Sequence, residues 1–168
     1  KESISQTVDY IEVLTSPNEI KERWLTFQKN SKKEILSFTK PPYVTKPEEN
    51  IEVETEMLNR SICYKAIYEY SDLNSLEDKR NFIKLIEPFQ KLGEEAKIIE
   101  QLPMKLVISD EMITMLPLNN IVSINNSFTV LVINHPNFAK AQKEIFNSYW
   151  QKAIPIEQYK RNLNSKLN

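Results

Sequence analysis

The 168-residue chain contains a single glycine, Gly93. Phosphate-cradling loops of the P-loop or dinucleotide-binding type need several glycines at fixed spacing, because only a residue without a Cβ lets the backbone approach a phosphate. One glycine excludes most nucleotide-binding readings. There is also one cysteine, Cys63. It excludes an internal disulfide and any cysteine-based zinc site, and a reducing, cytoplasmic setting is the expectation. The lone histidine, His135, stands before Pro136 as a helix flank, with no set of His and carboxylates at ligand spacing, so no metal and no cofactor are expected. Basic excess is missing too: 22 Lys and Arg face 23 Asp and Glu, a net charge of -1. A surface built to grip nucleic-acid phosphates would be basic, so this piece is not expected to touch DNA itself. No apolar run approaches the ~18 residues of a membrane span. The first residues, KESISQTVDY, lack both an apolar signal core and an initiator Met, which suggests a processed or excised piece.

What is present alternates between strand and helix patterns. VDYIEVL, 8–14, reads as a strand. Ser16, Pro17 and Glu19 form an N-cap, an N1 proline and a capping-box acid for a helix to about Asn30. EILSFT, 34–39, is a second strand, and the three prolines of KPPYVTKPEEN, 40–50, make a loop. A short helix fits 51–59. The acids Glu48, Glu49, Glu52, Glu54 and Glu56 read as a solvated loop and helix face. ICYKAIYEY, 62–70, alternates as a strand. Ser75 opens a helix to 92, with Phe82, Leu85, Ile86, Phe89 and Leu92 on one face. Pro88 should kink or split it, and Gly93 should end it. Four further strands follow: AKIIEQ, MKLVIS, MITMLP and FTVLVI, the last apolar enough to be covered on both faces. Pro136 starts a helix to about Ala153 with Phe138, Ala141, Ile145, Tyr149 and Trp150 inward, and 155–168 is a polar, peripheral tail. The order predicts a layered α/β fold with a mixed sheet, as one domain over 1–168.

The stretch LPMKLVISDEMITMLPL, 102–118, carries the chemistry. Lys105 and Asp110 stand in the spacing x-Met-Lys-x-x-x-x-Asp. This resembles the His-x-Lys-x-x-x-x-Asp motif of the phospholipase D superfamily, in which the His is the phosphoryl nucleophile and the Lys neutralises the phosphate. Here Pro103 occupies the His position, and proline has neither nucleophile nor acid–base function. The resemblance therefore implies that fold with its catalysis removed. A closer resemblance joins this stretch to EIFNSYWQKAIPI, EIKERWLTFQKNSKKEILSFTKPPY and EMLNRSICYKAIYEYSDL. In that order, over about residues 10–156, the chain looks like the C-terminal sensor domain of TrmB-like transcriptional regulators. The family implies an upstream winged helix-turn-helix for promoter DNA, a homodimer, and a small-molecule effector. Its founding members bind maltose and related sugars with an additional C-terminal region that has no visible counterpart after residue 156.

Six residues are the ligand-binding candidates. Lys105 is either a cation for an anionic group of an effector or a lysine on a solvated face. Asp110 is either the motif acid or, with Glu111, a hairpin turn. Lys40 and Tyr43 leave the second strand on a loop that either lines a pocket or simply connects. Lys65 and Glu69 share one face of the third strand with Cys63 and Ile67, opposite Tyr64 and Tyr68, and that face lines a pocket or is half exposed. Two rivals to the regulator reading are a phosphodiesterase with a rearranged site and a ligand-free interaction module.

Overall fold

The structure is a computed structural model that describes residues 10–41, 46–119 and 128–165. In chain order its elements are β1 (Ile11–Leu14), α1 (Pro17–Asn30), β2 (Glu34–Thr39), α2 (Pro47–Asn59), β3 (Cys63–Glu69), α3 (Leu76–Leu92), β4 (Glu95–Ile99), β5 (Leu106–Ser109), β6 (Ile113–Asn119), β7 (Phe128–Asn134), α4 (Pro136–Lys152), β8 (Ile154–Pro155) and α5 (Ile156–Ser165). The strands form one mixed sheet in the order β1-β7-β6-β5-β2-β3-β4-β8. β2, β3 and β4 are parallel neighbours, and each step between them passes through a helix, as parallel pairing requires. Every other pairing is antiparallel. No helix among the described residues is long and apolar enough to cross a membrane.

Alternation along the strands divides the core. Ile35, Tyr64, Val107, Met115, Val130 and Val132 point to the face covered by α1 and α2. Leu36, Phe38, Ile67, Leu106, Ile108 and Leu116 point to α4. Phe38 stacks on Phe146 at 5.5 Å and meets Tyr149 edge-on at 5.3 Å, so the α4 side is packed by aromatic rings. α3 and α5 close the far end over Ala66, Ala96 and Ile98.

The expected helix boundaries hold for α1 and α3, and other details differ. Ser16 caps α1 by position alone, because its side chain makes no capping hydrogen bond. α2 starts at Pro47 rather than 51, with the proline at the first turn and Glu49 accepting the Lys46 N–H at 3.2 Å. α3 runs uninterrupted through Pro88; Phe82, Ile83, Ile86 and Phe89, buried on both sides of it, outweigh one missing hydrogen bond. The described part of the expected tail, up to Ser165, is not peripheral, since Ile156 and Tyr159 are buried and α5 packs on α3. On α4 Phe138, Tyr149 and Trp150 pack inward as expected, but the fully buried positions are Ala139 and Phe146, and Ile145 is 43% exposed. β5 also begins at 106, two residues later than expected, so Lys105 lies just before it.

Three residues, Asp110, Glu111 and Met112, connect β5 to β6 in a tight hairpin. Asp110 and Glu111 have φ of 55° and 54°, and the Met112 N–H donates to the Ser109 carbonyl at 2.9 Å. Positive φ at both central residues gives the twist a hairpin needs, and Asp tolerates it. The Asp110 carboxylate then accepts the N–H groups of Lys32, Lys33 and Glu34 at 2.8, 2.8 and 3.0 Å. Three donors at the start of β2 are satisfied by one side chain. Replacing Asp110 by Ala is expected to lower stability by about 2 kcal/mol in urea denaturation, as three charge-assisted bonds at a partly solvated site are lost. A change below about 0.5 kcal/mol would show that water replaces them at no cost.

Candidate functional site

A cavity of about 170 Å³ lies between the sheet and the helices α1, α2 and α3. Its walls are largely apolar and aromatic: Ile20 and Trp24 from α1, Leu85 and Phe89 from α3, Val107 and Met115 from the sheet. The Trp24 indole N–H donates to Asn50 Oδ1 at 3.0 Å, which ties α1 to α2 across one wall. Polar groups collect at two ends.

One end is basic. Lys40 follows β2 and Lys105 precedes β5, and both line the cavity beside Ser37 and Thr39. Lys40 Nζ donates to Glu69 Oε2 at 2.8 Å and to the Leu102 carbonyl at 3.3 Å. Glu69 also accepts from the Leu102 N–H at 2.6 Å and the Ser71 hydroxyl at 2.8 Å. Burial alone would raise the Glu69 carboxyl; the Lys40 ammonium and these donors bring it below the usual carboxylate range instead. Burial, helped by the nearby Lys40 charge, pulls Lys105 down to about 8. Both lysines stand at the carboxyl-terminal edge of β2 and β3, where α/β sheets characteristically open a crevice.

The other end is acidic and buried. Glu54 of α2 and Glu94, just after α3, are 2% and 5% exposed, and both line the cavity. They share a hydrogen bond, and burial pushes both carboxyls upward. The Glu94 charge raises Glu54 further, so the pair shares a proton. The Tyr68 hydroxyl donates to Glu94 Oε1 at 2.8 Å, and the Tyr64 hydroxyl donates to Gln28 Oε1 at 3.3 Å. Glu54 Oε1 is buried with no hydrogen-bond partner among the described residues. Gly93 makes this end possible. Its φ of 118° reverses the chain after α3 and turns Glu94 back under the helix.

Of the six candidates, the structure brings Lys40, Lys105 and Glu69 together, with Glu69 holding Lys40 in place. Lys65 lies on the α4 face, away from the cavity, with its Nζ 3.5 Å from Glu95 and 5.4 Å from the Trp150 ring centre. Asp110 is at the hairpin, committed to the backbone of β2. Tyr43 falls outside the described residues. His135 caps α4, its Nδ1 accepting the Phe138 N–H at 3.2 Å. The expectation of a solvated acidic face fails at Glu54. With α2 starting at Pro47, Asn50, Glu54 and Met57 fall at i, i+4 and i+7, so Glu54 shares the inward face with the core residue Met57. That spacing was available in the sequence; Glu94 had no comparable signal.

No protein-family model and no curated protein sequence matches this chain. Solved structures do. The archaeal chromatin protein TrmBL2, whose structure is described as showing a novel mode of DNA binding, superposes with a TM-score of 0.69 at 19% identity, over 90% of this chain and 56% of that one. The chain thus spans little more than half of that protein's length. Nuc from Salmonella typhimurium, a phospholipase D family member, gives a TM-score of 0.65 at 15% identity, over 86% of this chain and 96% of that one. NucT from Helicobacter pylori gives 0.64 at 12% identity, over 86% and 98%. These likenesses establish the fold: a phospholipase D-like mixed sheet flanked by helices.

The carboxyl pair has a measurable consequence. Unfolded, both groups ionise near their ordinary value of 4.5; folded, they hold protons to higher pH. The native state therefore binds more protons above that value, and stability falls as pH rises. Between pH 5 and pH 8 the wild type is expected to lose at least about 1 kcal/mol relative to the Glu54→Gln/Glu94→Gln double variant. Lys105, pulled down to about 8, is present in both proteins and cancels in the comparison. Parallel stability curves for the two proteins across this window would contradict a buried, proton-sharing pair.

Proposed function

We propose that this chain is the effector-sensing and dimerisation domain of a TrmB-like transcriptional regulator, a single domain that acts in the cytoplasm and is not itself an enzyme. DNA binding would come from an upstream winged helix-turn-helix. The observation that carries the reading is the fate of the phosphodiesterase motif. Its lysine, Lys105, lines an apolar cavity, while the nucleophile position holds Pro103, which is exposed. Without a nucleophile, the lysine serves to bind an anionic group rather than to stabilise its transfer. Effector binding in the cavity, which is walled by helices α1 and α2 on one side and the sheet on the other, favours one arrangement of two subunits and so one spacing of the DNA-binding domains. The likeness to TrmBL2 supports this assignment; a sugar remains one candidate effector through the founding members. The likeness to Nuc and NucT favours the second reading, a phosphodiesterase.

Thermal-shift titration with carboxylates, phosphate esters and saccharides tests the reading. An effector present at 100 times its Kd adds about 2.7 kcal/mol to stability. Lys105→Met is expected to weaken an anionic effector at least tenfold, and no turnover of bis(p-nitrophenyl) phosphate is expected from the wild type. Turnover that disappears with Lys105→Met would make the protein a phosphodiesterase instead.

A further inference from the structure

We propose that the ligand of this cavity is a zwitterion with an apolar middle, its ammonium held by Glu54 and Glu94 and its anionic end by Lys105. The inference rests on the effector-binding reading and adds the chemical class. Its starting point is Glu54 Oε1, an acceptor buried on the cavity wall in a residue 2% exposed, with no hydrogen-bond partner among the described residues. Buried polar atoms are nearly always bonded, and one that lines a cavity is an acceptor waiting for a donor from the occupant.

The surroundings specify what kind of donor. Glu54 and Glu94 hydrogen-bond each other, and two carboxyls in an apolar wall cannot both ionise. A cation placed against them removes that obstacle; a neutral hydroxyl does not. The nearby walls are the rings of Trp24, Tyr64, Tyr68 and Phe89, whose faces favour an ammonium. The charged and titratable groups that line this cavity are few. α2 contributes Glu54, the start of β4 Glu94, and β3 the hydroxyls of Tyr64 and Tyr68. α1 and α3 contribute no charged side chain to the lining. Lys40 and Lys105 stand at the opposite end.

Strand register sets the two ends apart. Phe38 pairs with Leu106 and Thr39 with Tyr68, which puts Lys105 at the level of Tyr68. Lys65 pairs with Glu95, which puts Glu94 at the level of Tyr64. Four residues along a strand is about 13 Å, and Lys105 and Glu94 also precede strands three places apart in the sheet. The shift of Lys105 comes from burial and from Lys40, and those of the two carboxyls mainly from burial. One molecule that satisfies both ends carries opposite charges separated by apolar atoms. On binding, an O–H bond of the carboxyl pair breaks, its proton leaves to water, and the incoming ammonium takes over the charge.

The test uses ω-amino acids from four to eight carbons, with hexanoate, hexylamine and 6-hydroxyhexanoate as partial probes. Trp24 fluorescence reads binding, since Trp150 packs on the other face of the sheet. Calorimetry in two buffers of different ionisation enthalpy reads the proton. One amino acid of the series is expected to bind at least tenfold tighter than every partial probe and to release a proton. Glu54→Gln, an exchange close in shape for a protonated carboxyl, should remove the preference for the ammonium and keep hexanoate binding. Glu94→Gln repeats the test should the first variant not fold. Equal binding of hexanoate or 6-hydroxyhexanoate, or a preference that survives both Gln variants, overturns the inference while leaving the effector reading intact. Failure of every amino acid and every anion to bind overturns both.

Discussion

Glu69 is the group on which the site's geometry depends. Its carboxylate sits at the end of β3, almost out of water, and collects Lys40 from β2, the Leu102 N–H from the segment before β5, and Ser71 from the following turn. Burial of a charge is tolerable only with such compensation. The result is that three separate segments meet at one oxygen pair. Asp110 performs the matching task at the other end of β5, where it binds the backbone that opens β2. β5 has four residues, too few to hold its own register, and these two carboxylates anchor it at both ends. Lys105 is placed on the cavity because of them.

The two faces of the sheet differ in how they are filled. The α4 side is packed by rings, Phe38, Phe146, Tyr149 and Trp150. The α1–α3 side is spanned by three helices that meet each other as well as the sheet, and the gap between them keeps the cavity. Polar side chains concentrate there: Gln28, Tyr64, Tyr68, Glu54 and Glu94 are all buried. A core built only for stability would replace such groups with apolar ones at no loss. Their placement beside a cavity distinguishes this face from the aromatic packing face.

The alternating and 3.6-residue patterns made the sheet and the large helices legible, because burial of one face leaves its period in the residue types. The resemblance added the topology that periodicity cannot supply. The α5 segment was missed because Ile156, Tyr159 and Leu163 are a thin apolar stripe in a polar stretch, and its burial depends on α3, far away in sequence. Pro88 does not split α3, because long-range packing on both sides of it outweighs the local rule. The motif, the loop and strand parity point to Lys40, Lys105 and Glu69, which the fold brings together. They do not point to Glu54 and Glu94, since a carboxylate in an acidic run or after a helix-ending glycine looks like surface. Only the folded chain shows that these two meet.

A chain with one glycine must reverse direction with other residues, and here that has a mechanical result. Asp110 and Glu111 adopt the left-handed backbone of the hairpin turn, and each also reaches outward, Asp110 to the start of β2 and Glu111 to Lys143 of α4 at 2.7 Å. A glycine pair would turn as well and bind nothing. With these residues the turn's shape and its attachment to two neighbouring elements are the same event. The hairpin cannot loosen locally while the rest stays closed, so a segment of the kind that usually frays first opens only together with the β2 edge and α4.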